Sequence, residues 1–392
     1  MRTVRDVSVR VGVVMTTLAL LCGAAHADEA ALASVTHKPG SGVKLSTQTG
    51  GWLSIRPRVM MLYQRDMPED GPATHALTIR RARVVIKSGY TPLHLSSKLE
   101  LAFSARDLRV SGGNPRQTPV LTWSVAWERL RDVRIKVGQF KIGYSRQRLI
   151  SSGDLQLVDR SAVQGEFTLD RDIGVELYSE DLGGLDKIRY VLGVYNGEGR
   201  DVYQLSDSPP MMLGRLELMP FGRFDAYKEA DLKRHRSPKV AVAVAGAWMS
   251  RALRDRGVLG SIPADGGTTD HLMMTADLLA KWRGLSLVVE GHKRASTRHP
   301  GSDAPEVLGR SGWGVFSTIG WLLPMAQDVE LSARTGGIFA ANKSSLKDLR
   351  ETGVGVSWYL SGHANKLQMD VTRLTSDTAT DLRFRLQLQV SM

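Results

Sequence analysis

Polar and apolar residues alternate along most of the chain. Near the C-terminus, "LRFRLQLQV" sets Leu382, Phe384, Leu386, Leu388 and Val390 on one face and Arg383, Arg385, Gln387 and Gln389 on the other. A strand carrying that period has one apolar and one polar side. "LHLSSKLELAF" repeats the pattern, with His94, Ser96, Lys98 and Glu100 opposite Leu93, Leu95, Leu99 and Leu101. "DVRIKV" sets Arg134 and Lys136 against Val133, Ile135 and Val137, and "WLSIRPRVM" sets Ser54, Arg56 and Arg58 against Leu53, Ile55 and Val59. The alternation predicts about sixteen strands: 51–63, 76–89, 93–104, 118–129, 132–142, 170–181, 186–196, 211–221, 238–250, 269–281, 284–295, 309–322, 327–335, 350–360, 364–375 and 380–391. Each is roughly 9–14 residues, which suits a tilted strand crossing a bilayer.

The connections alternate as well. Brief links such as "GYTP", "LGGL" and "SGHA" are followed by long polar ones at 64–75, 105–117, 143–169, 197–210, 252–268, 296–308 and 336–349. Short turns at one end and long loops at the other are the layout of an outer-membrane barrel with both termini in the periplasm. Two links break the pattern: 224–239 is long for an inner turn, and the one near "SDTAT" is short for an outer loop. "VAVAVAGAWM" is apolar on both faces, as at a protomer contact or where a loop folds inside. A soluble all-β protein also alternates, but its strands average about five to six residues. The expected fold is all-β: an antiparallel transmembrane β-barrel of about 16 strands, residues 51–392, preceded by a lead-in segment, 28–50.

The first 27 residues change the compartment. Arg2, Arg5 and Arg10 precede an apolar run from Val11 to Ala25, and Ala25-His26-Ala27 is a small-x-small cleavage signal. This reads as a secretory signal peptide, 1–27. Cys22 is the only cysteine, so beyond that peptide there are no disulfides and no thiolate metal sites. Net charge is +12. Residues 1–27 supply three Arg and one Asp, which leaves +10 for the rest. For an exported chain that charge points to anionic lipid or anionic solutes rather than nucleic acid.

The link at 143–169 exceeds the roughly 12–15 residues that compact domains leave without structure or a job. Its surroundings, "VGQFKIGYSRQRLISSGDLQLVDRSAVQGEFTLDRDIGVELYSE", resemble the signature region of the phosphate-selective porin O and P family. "LTIRRARVVIKSGY" resembles that family's second strand, and "VLGVYNGEGRD" the strand and loop after the signature. The resemblance runs from about residue 43 to the end. It implies a sixteen-stranded Gram-negative outer-membrane barrel, a homotrimer, whose third outer loop folds into the lumen and narrows it; here that loop is 143–169. It implies outer-membrane lipid and lipopolysaccharide, the barrel-assembly machinery and small anionic solutes as partners. Such barrels usually end on an aromatic residue, whereas this chain ends on Met392, and aromatics make up only 6% of it. The family's arginine ladder and loop lysines find no residue-by-residue match. The loop offers Arg146, Arg148 and Arg160 beside Asp154 and Asp159.

Passage of an anion needs a polar lining and a favourable field, which rings of Arg or Lys supply. By alternation the interior-facing basics are Arg56, Arg58, Arg81, Arg83, Lys87, Lys98, Arg134, Lys136, Arg189, Arg215, Arg334, Arg383 and Arg385, facing Glu100, Glu217, Glu330 and Asp370. Each arginine can instead pair with a neighbouring acid and stiffen the wall. No cofactor, metal site or enzymatic activity is expected. Ser151, Ser152, Asp154 and Asp159 have no nearby histidine to act as base, and the nine histidines lack paired metal-ligand spacing. The functional expectation is an outer-membrane porin for passive diffusion of small anions, phosphate or polyphosphate among them. The alternatives are a weakly selective general-diffusion porin, a barrel enzyme, or a plugged surface-binding barrel.

Overall fold

The computed structural model describes residues 32–111, 116–202, 207–301 and 308–392. The expected signal peptide, Cys22 and the start of the lead-in lie outside the described residues. Eighteen strands form one antiparallel sheet. The first two are β1 (Leu32–Lys38) and β2 (Gly42–Thr47). They are followed by β3 (Gly51–Pro68), β4 (Thr74–Tyr90), β5 (Leu95–Ala102), β6 (Val120–Trp127), β7 (Arg134–Lys141), β8 (Arg171–Ser179), β9 (Ile188–Tyr195) and β10 (Met211–Leu218). The remainder are β11 (Lys239–Ala252), β12 (Thr268–Trp282), β13 (Leu285–His299), β14 (Gly312–Leu322), β15 (Val329–Ala340), β16 (Leu349–His363), β17 (Asn365–Ser376) and β18 (Thr380–Ser391).

Strands β3 to β18 pair each with the next, and β18 returns to β3 from Ser391↔Arg58 to Asp381↔Pro68. The sheet is therefore a closed barrel of sixteen strands without a free edge, which abolishes unpaired backbone in a membrane. All sixteen coincide with the segments read from alternation. The lead-in carries strand structure that the alternation did not mark. Within it, β1 and β2 form a hairpin whose second strand continues along β3 from Val43↔Ile55 to Ser46↔Trp52. Its alternation was too short to stand out beside the longer strands.

Burial fixes the two faces. On β18, Leu386, Leu388 and Val390 are exposed while Arg385, Gln387 and Gln389 are buried. On β12, Leu272 and Met274 are exposed while His271, Thr275 and Asp277 are buried. The enclosed face is thus polar and the outer face apolar, the reverse of a soluble sandwich. The run that is apolar on both faces lies in β11. Its enclosed Ala245 and Ala247 share a buried cluster with Tyr144 and Leu169, which explains why that face is small and apolar.

The link 143–169 is not without structure. It holds two short helical turns, α1 (Arg146–Leu149) and α2 (Ala162–Phe167). Ser145 and Ser161 cap them, their side chains accepting from Arg148 N at 3.2 Å and Gln164 N at 3.0 Å. Turns this short carry no helical period that a sequence reading could find.

Candidate functional site: a charged interior divided by one loop

The segment 143–169 rests on the enclosed face of the strands from β10 to β17. Fully buried Arg146 donates through Nε to Asp277 of β12 at 2.6 Å, and through Nη2 to Glu217 of β10 at 3.1 Å. Three backbone amides of the segment are accepted by wall carboxylates. Gln147 N donates to Glu290 at 2.9 Å, Val158 N to Asp370 at 2.9 Å and Ala162 N to Glu351 at 2.8 Å. Gln156 Nε2 donates to Glu330 at 2.8 Å. Each carboxylate lies on a different strand and is itself buried. A buried carboxylate is costly unless hydrogen-bonded, so these contacts hold the segment and satisfy the acids together.

Apolar packing adds to this. Val163 and Phe167 of α2 share a buried cluster with Ala241, Leu279, Val288, Phe316 and Ile338 of β11 to β15. The wall makes room for the segment with glycine: a side chain at Gly320 would collide with Gln156, and one at Gly355 would meet Leu157 at 2.5 Å.

The opposite strands carry most of the sequence-predicted cations, and the structure distributes them in two ways. Several meet an acid. Arg83 makes a forked contact with Asp107, 2.9 Å from Nε and 2.6 Å from Nη2, and reaches Glu100 at 3.2 Å. Lys98 lies 3.5 Å from Glu100, and Arg134 lies 3.6 Å from Glu128 and 3.5 Å from Glu180. Lys136 pairs with Glu176, and Arg148 donates to Asp170 at 2.8 Å. Arg81 lies 3.6 Å from Asp159. Arg383 holds Asp66 in a fork at 2.7 and 3.1 Å, and Arg385 holds Asp370 at 2.7 and 2.9 Å.

Others form no ion pair among the described residues. Arg56 donates to Gly40 O at 3.2 Å and Arg58 to the Ser151 hydroxyl at 2.9 Å. Arg160 donates to the carbonyls of Gln147 at 2.8 Å and Ile150 at 2.6 Å. Lys87 is exposed on the enclosed face of β4. Burial, then neighbouring Arg148 and Arg81, pull the Arg160 guanidinium well below its usual range. Burial alone would raise the Asp159 carboxyl, but Arg81, Arg106, Arg385 and Arg160 outweigh it and hold it below the usual carboxylate range.

The expectation of thirteen basic residues facing four acids needs correction. Glu176, Asp277, Glu290 and Glu351 also face inward, but so do Arg171, Lys281, Arg294 and Lys366, so the wall holds more charges of both signs and stays basic. Alternation around "TADLL" and "VVEGH" already marks Asp277 and Glu290. Arg80 escaped alternation altogether. A bulge between the pairs Met60↔Arg81 and Met61↔Ile79 leaves it unpaired, and it turns to Asp159 beside Arg81. Lys141, at the end of β7, donates to the carbonyls of Arg148 at 2.8 Å and Leu149 at 3.2 Å.

Exposure varies across the interior. Side chains of Glu217 and Asp277 are 2% and 0% exposed. Those of Lys98, Lys136 and Arg148 are 38%, 26% and 20% exposed. Water therefore reaches Lys98, Lys136 and Arg148, although Glu100, Thr122, Arg171 and Glu176 of β5 to β8 are buried too, while the β10–β17 side is filled.

A closed barrel with an apolar outside and a charged inside is the architecture of outer-membrane channels. The resemblance read from the signature region is met again in a family comparison: the model of the phosphate-selective porin O and P family matches residues 61–223. That range contains β4 to β10 and the whole of 143–169. No curated protein matches the chain in sequence. Among solved structures, a loop L8 deletion mutant of OmpT from Vibrio cholerae aligns with a TM-score of 0.58 at 11% identity, covering 88% of this chain and 100% of that one. An anion-selective porin from Comamonas acidovorans aligns with a TM-score of 0.58 at 10% identity, over 87% and 100%. In-vitro folded OmpT of Vibrio cholerae in its trimer form aligns with a TM-score of 0.55 at 12% identity, over 87% and 99%. At these identities the likeness is one of fold.

Proposed function

We propose that the chain is an outer-membrane porin through which small anions diffuse passively. The passage runs between segment 143–169, its constriction, and the enclosed face of β3 to β8. The observation that carries this reading is the uneven neutralisation of charge. Carboxylates on the β10–β17 side are spent holding the segment and lie out of water. Arg56, Arg58, Lys87 and Arg160 form no ion pair among the described residues, while Lys98 and Arg148 border water. Cations lining a narrow passage favour anions. Arginine's planar fork also suits phosphate and carboxylate.

The family match and the barrel's likeness to an anion-selective porin support the same reading. The trimer form of a structural neighbour favours a homotrimer. Lipid, lipopolysaccharide and the assembly machinery follow as the partners of any such barrel. A weakly selective general-diffusion porin is the second reading. It is favoured by the number of predicted cations that do meet an acid, from Arg83 to Arg385.

The test is the reversal potential of the purified protein in a planar bilayer under a potassium chloride gradient. Anion preference in dilute salt supports the proposal. No preference leaves the general-diffusion reading, and cation preference overturns both.

A further inference from the structure

The turn between β10 and β11 is out of proportion to its neighbours. Residues 219–238 separate Leu218 from Lys239, whereas only Arg283 and Gly284 join β12 to β13, and Ala364 alone joins β16 to β17. Inner turns of outer-membrane barrels are normally short.

This turn crosses the inner end of the barrel. Asp231 accepts from Gly284 N of the β12–β13 turn at 2.9 Å, and Arg234 donates to Leu323 O beyond β14 at 2.6 Å. Ala230 shares a buried cluster with Leu322 of β14 and Tyr359 of β16.

From that crossing the turn reaches segment 143–169. Glu229, fully buried, accepts from Gln147 Nε2 at 2.9 Å and from Gln156 N at 2.8 Å. Its own amide donates to Asp154 O at 3.1 Å. Ala226 O accepts from Arg146 Nη1 at 3.1 Å. Tyr227 donates to Glu217 at 3.0 Å and lies under the Arg146 guanidinium, 5.7 Å from ring centre to Cζ. Glu229 forms no ion pair among the described residues. A carboxylate is buried without a salt bridge only where hydrogen bonds hold it, and here those bonds all come from one segment.

We propose that the β10–β11 turn is a strap that sets the passage from the inner side, with Glu229 as the positioning residue that fixes segment 143–169 against the wall. This rests on the reading of 143–169 as the constriction. The segment is anchored in the chain at β7 and β8, at the outer end. To these and to the contacts with the wall carboxylates the strap adds an anchorage from the inner end, gripping the segment near its midpoint at 154–156. A segment held to the wall on one side and from the inner end as well keeps one cross-section more tightly than one held by the wall alone. Losing two hydrogen bonds to a carboxylate raises the ratio of released to seated segment by about a hundredfold.

The experiment is single-channel recording of the full-length barrel, comparing Glu229→Ala, Glu229→Gln and a deletion of 149–158. Heat-modifiable gel mobility reports whether each wall has formed. The expected result for Glu229→Ala is a native wall, a noisier current and a larger open level, shifted toward that of the deletion. Glu229→Gln, which keeps one acceptor oxygen, should fall between. Gln147→Met removes the donor from the other side of the clamp. It should move the current the same way, which keeps the test open if Glu229→Ala does not assemble. A quiet, unchanged current in both clamp variants, with increased conductance in the deletion, overturns the strap and leaves the constriction reading standing. Unchanged conductance in the deletion too overturns the constriction reading and the strap with it.

Discussion

The strands from β10 to β17 and those from β3 to β8 close one barrel with one alternation, yet their inner faces behave differently. On the first, Glu217, Asp277, Glu290, Glu330, Glu351 and Asp370 lie dry beneath segment 143–169, each accepting a hydrogen bond. On the second, Arg58, Lys87, Lys98 and Lys136 border water. The charge a solute meets is therefore not that of the wall as a whole. A loop laid over this face removes its acids from the field that a solute meets, together with the buried cations Arg215, Arg294, Arg334 and Lys366, and leaves the solute to the charges of the other side. Net charge along the strands matters less than which charges the loop covers.

The contrast can be broken hardest on the dry side. Arg146→Ala takes one of the two cations shared by buried Glu217 and Asp277, leaving Arg215 at 3.6 and 2.7 Å, so the cost falls below the roughly 3–5 kcal/mol of breaking a buried pair outright. The loss should appear as faster hydrogen exchange at the amides of Gln147 and Val158, with the barrel's own strands still protected. Arg58→Ala on the wet side strands no acid and loses two serine contacts, so its folding cost is about 1 kcal/mol. If both variants loosen the loop equally, the division into a holding half and a conducting half fails.

On the wet side the larger effect falls on selectivity. Arg58→Ala combined with Lys87→Ala should lower anion preference, read as reversal potential, while leaving exchange protection of 143–169 nearly intact. Glu351→Gln on the dry side should leave the reversal potential unchanged, because its carboxylate already lies beneath Ala162. The smallest effect is that of salt. The Debye length falls from about 10 Å at 0.1 M to about 3 Å at 1 M, so the difference between wild type and the double variant should shrink across that range.

The wall was legible in the sequence because a strand's period is local: all sixteen segments could be read from residues two apart. Facing was legible for the same reason, and it fails only where the ladder slips, as at the bulge that turns Arg80 inward. The interior was not legible, because its contacts join residues far apart. Arg146 meets Asp277 and Val158 meets Asp370, and nothing local in "SRQRL" or "QLVD" names those partners. Two oddities were visible without their cause. The apolar inner face of β11 proved to lie against the apolar side of 143–169, and the overlong turn at 224–239 proved to cross the inner mouth.

The most direct test of the account asks where solutes travel. The chain's only cysteine is Cys22, so single cysteines can be placed at Lys98 on β5 and at Ala243 on β11, both on the enclosed face. A small anionic thiol reagent is added while current is recorded through the folded barrel. The account predicts that Lys98→Cys reacts quickly and its conductance falls, while Ala243→Cys, buried on the filled side, stays unmodified. Reaction of Ala243→Cys as fast as that of Lys98→Cys would contradict it.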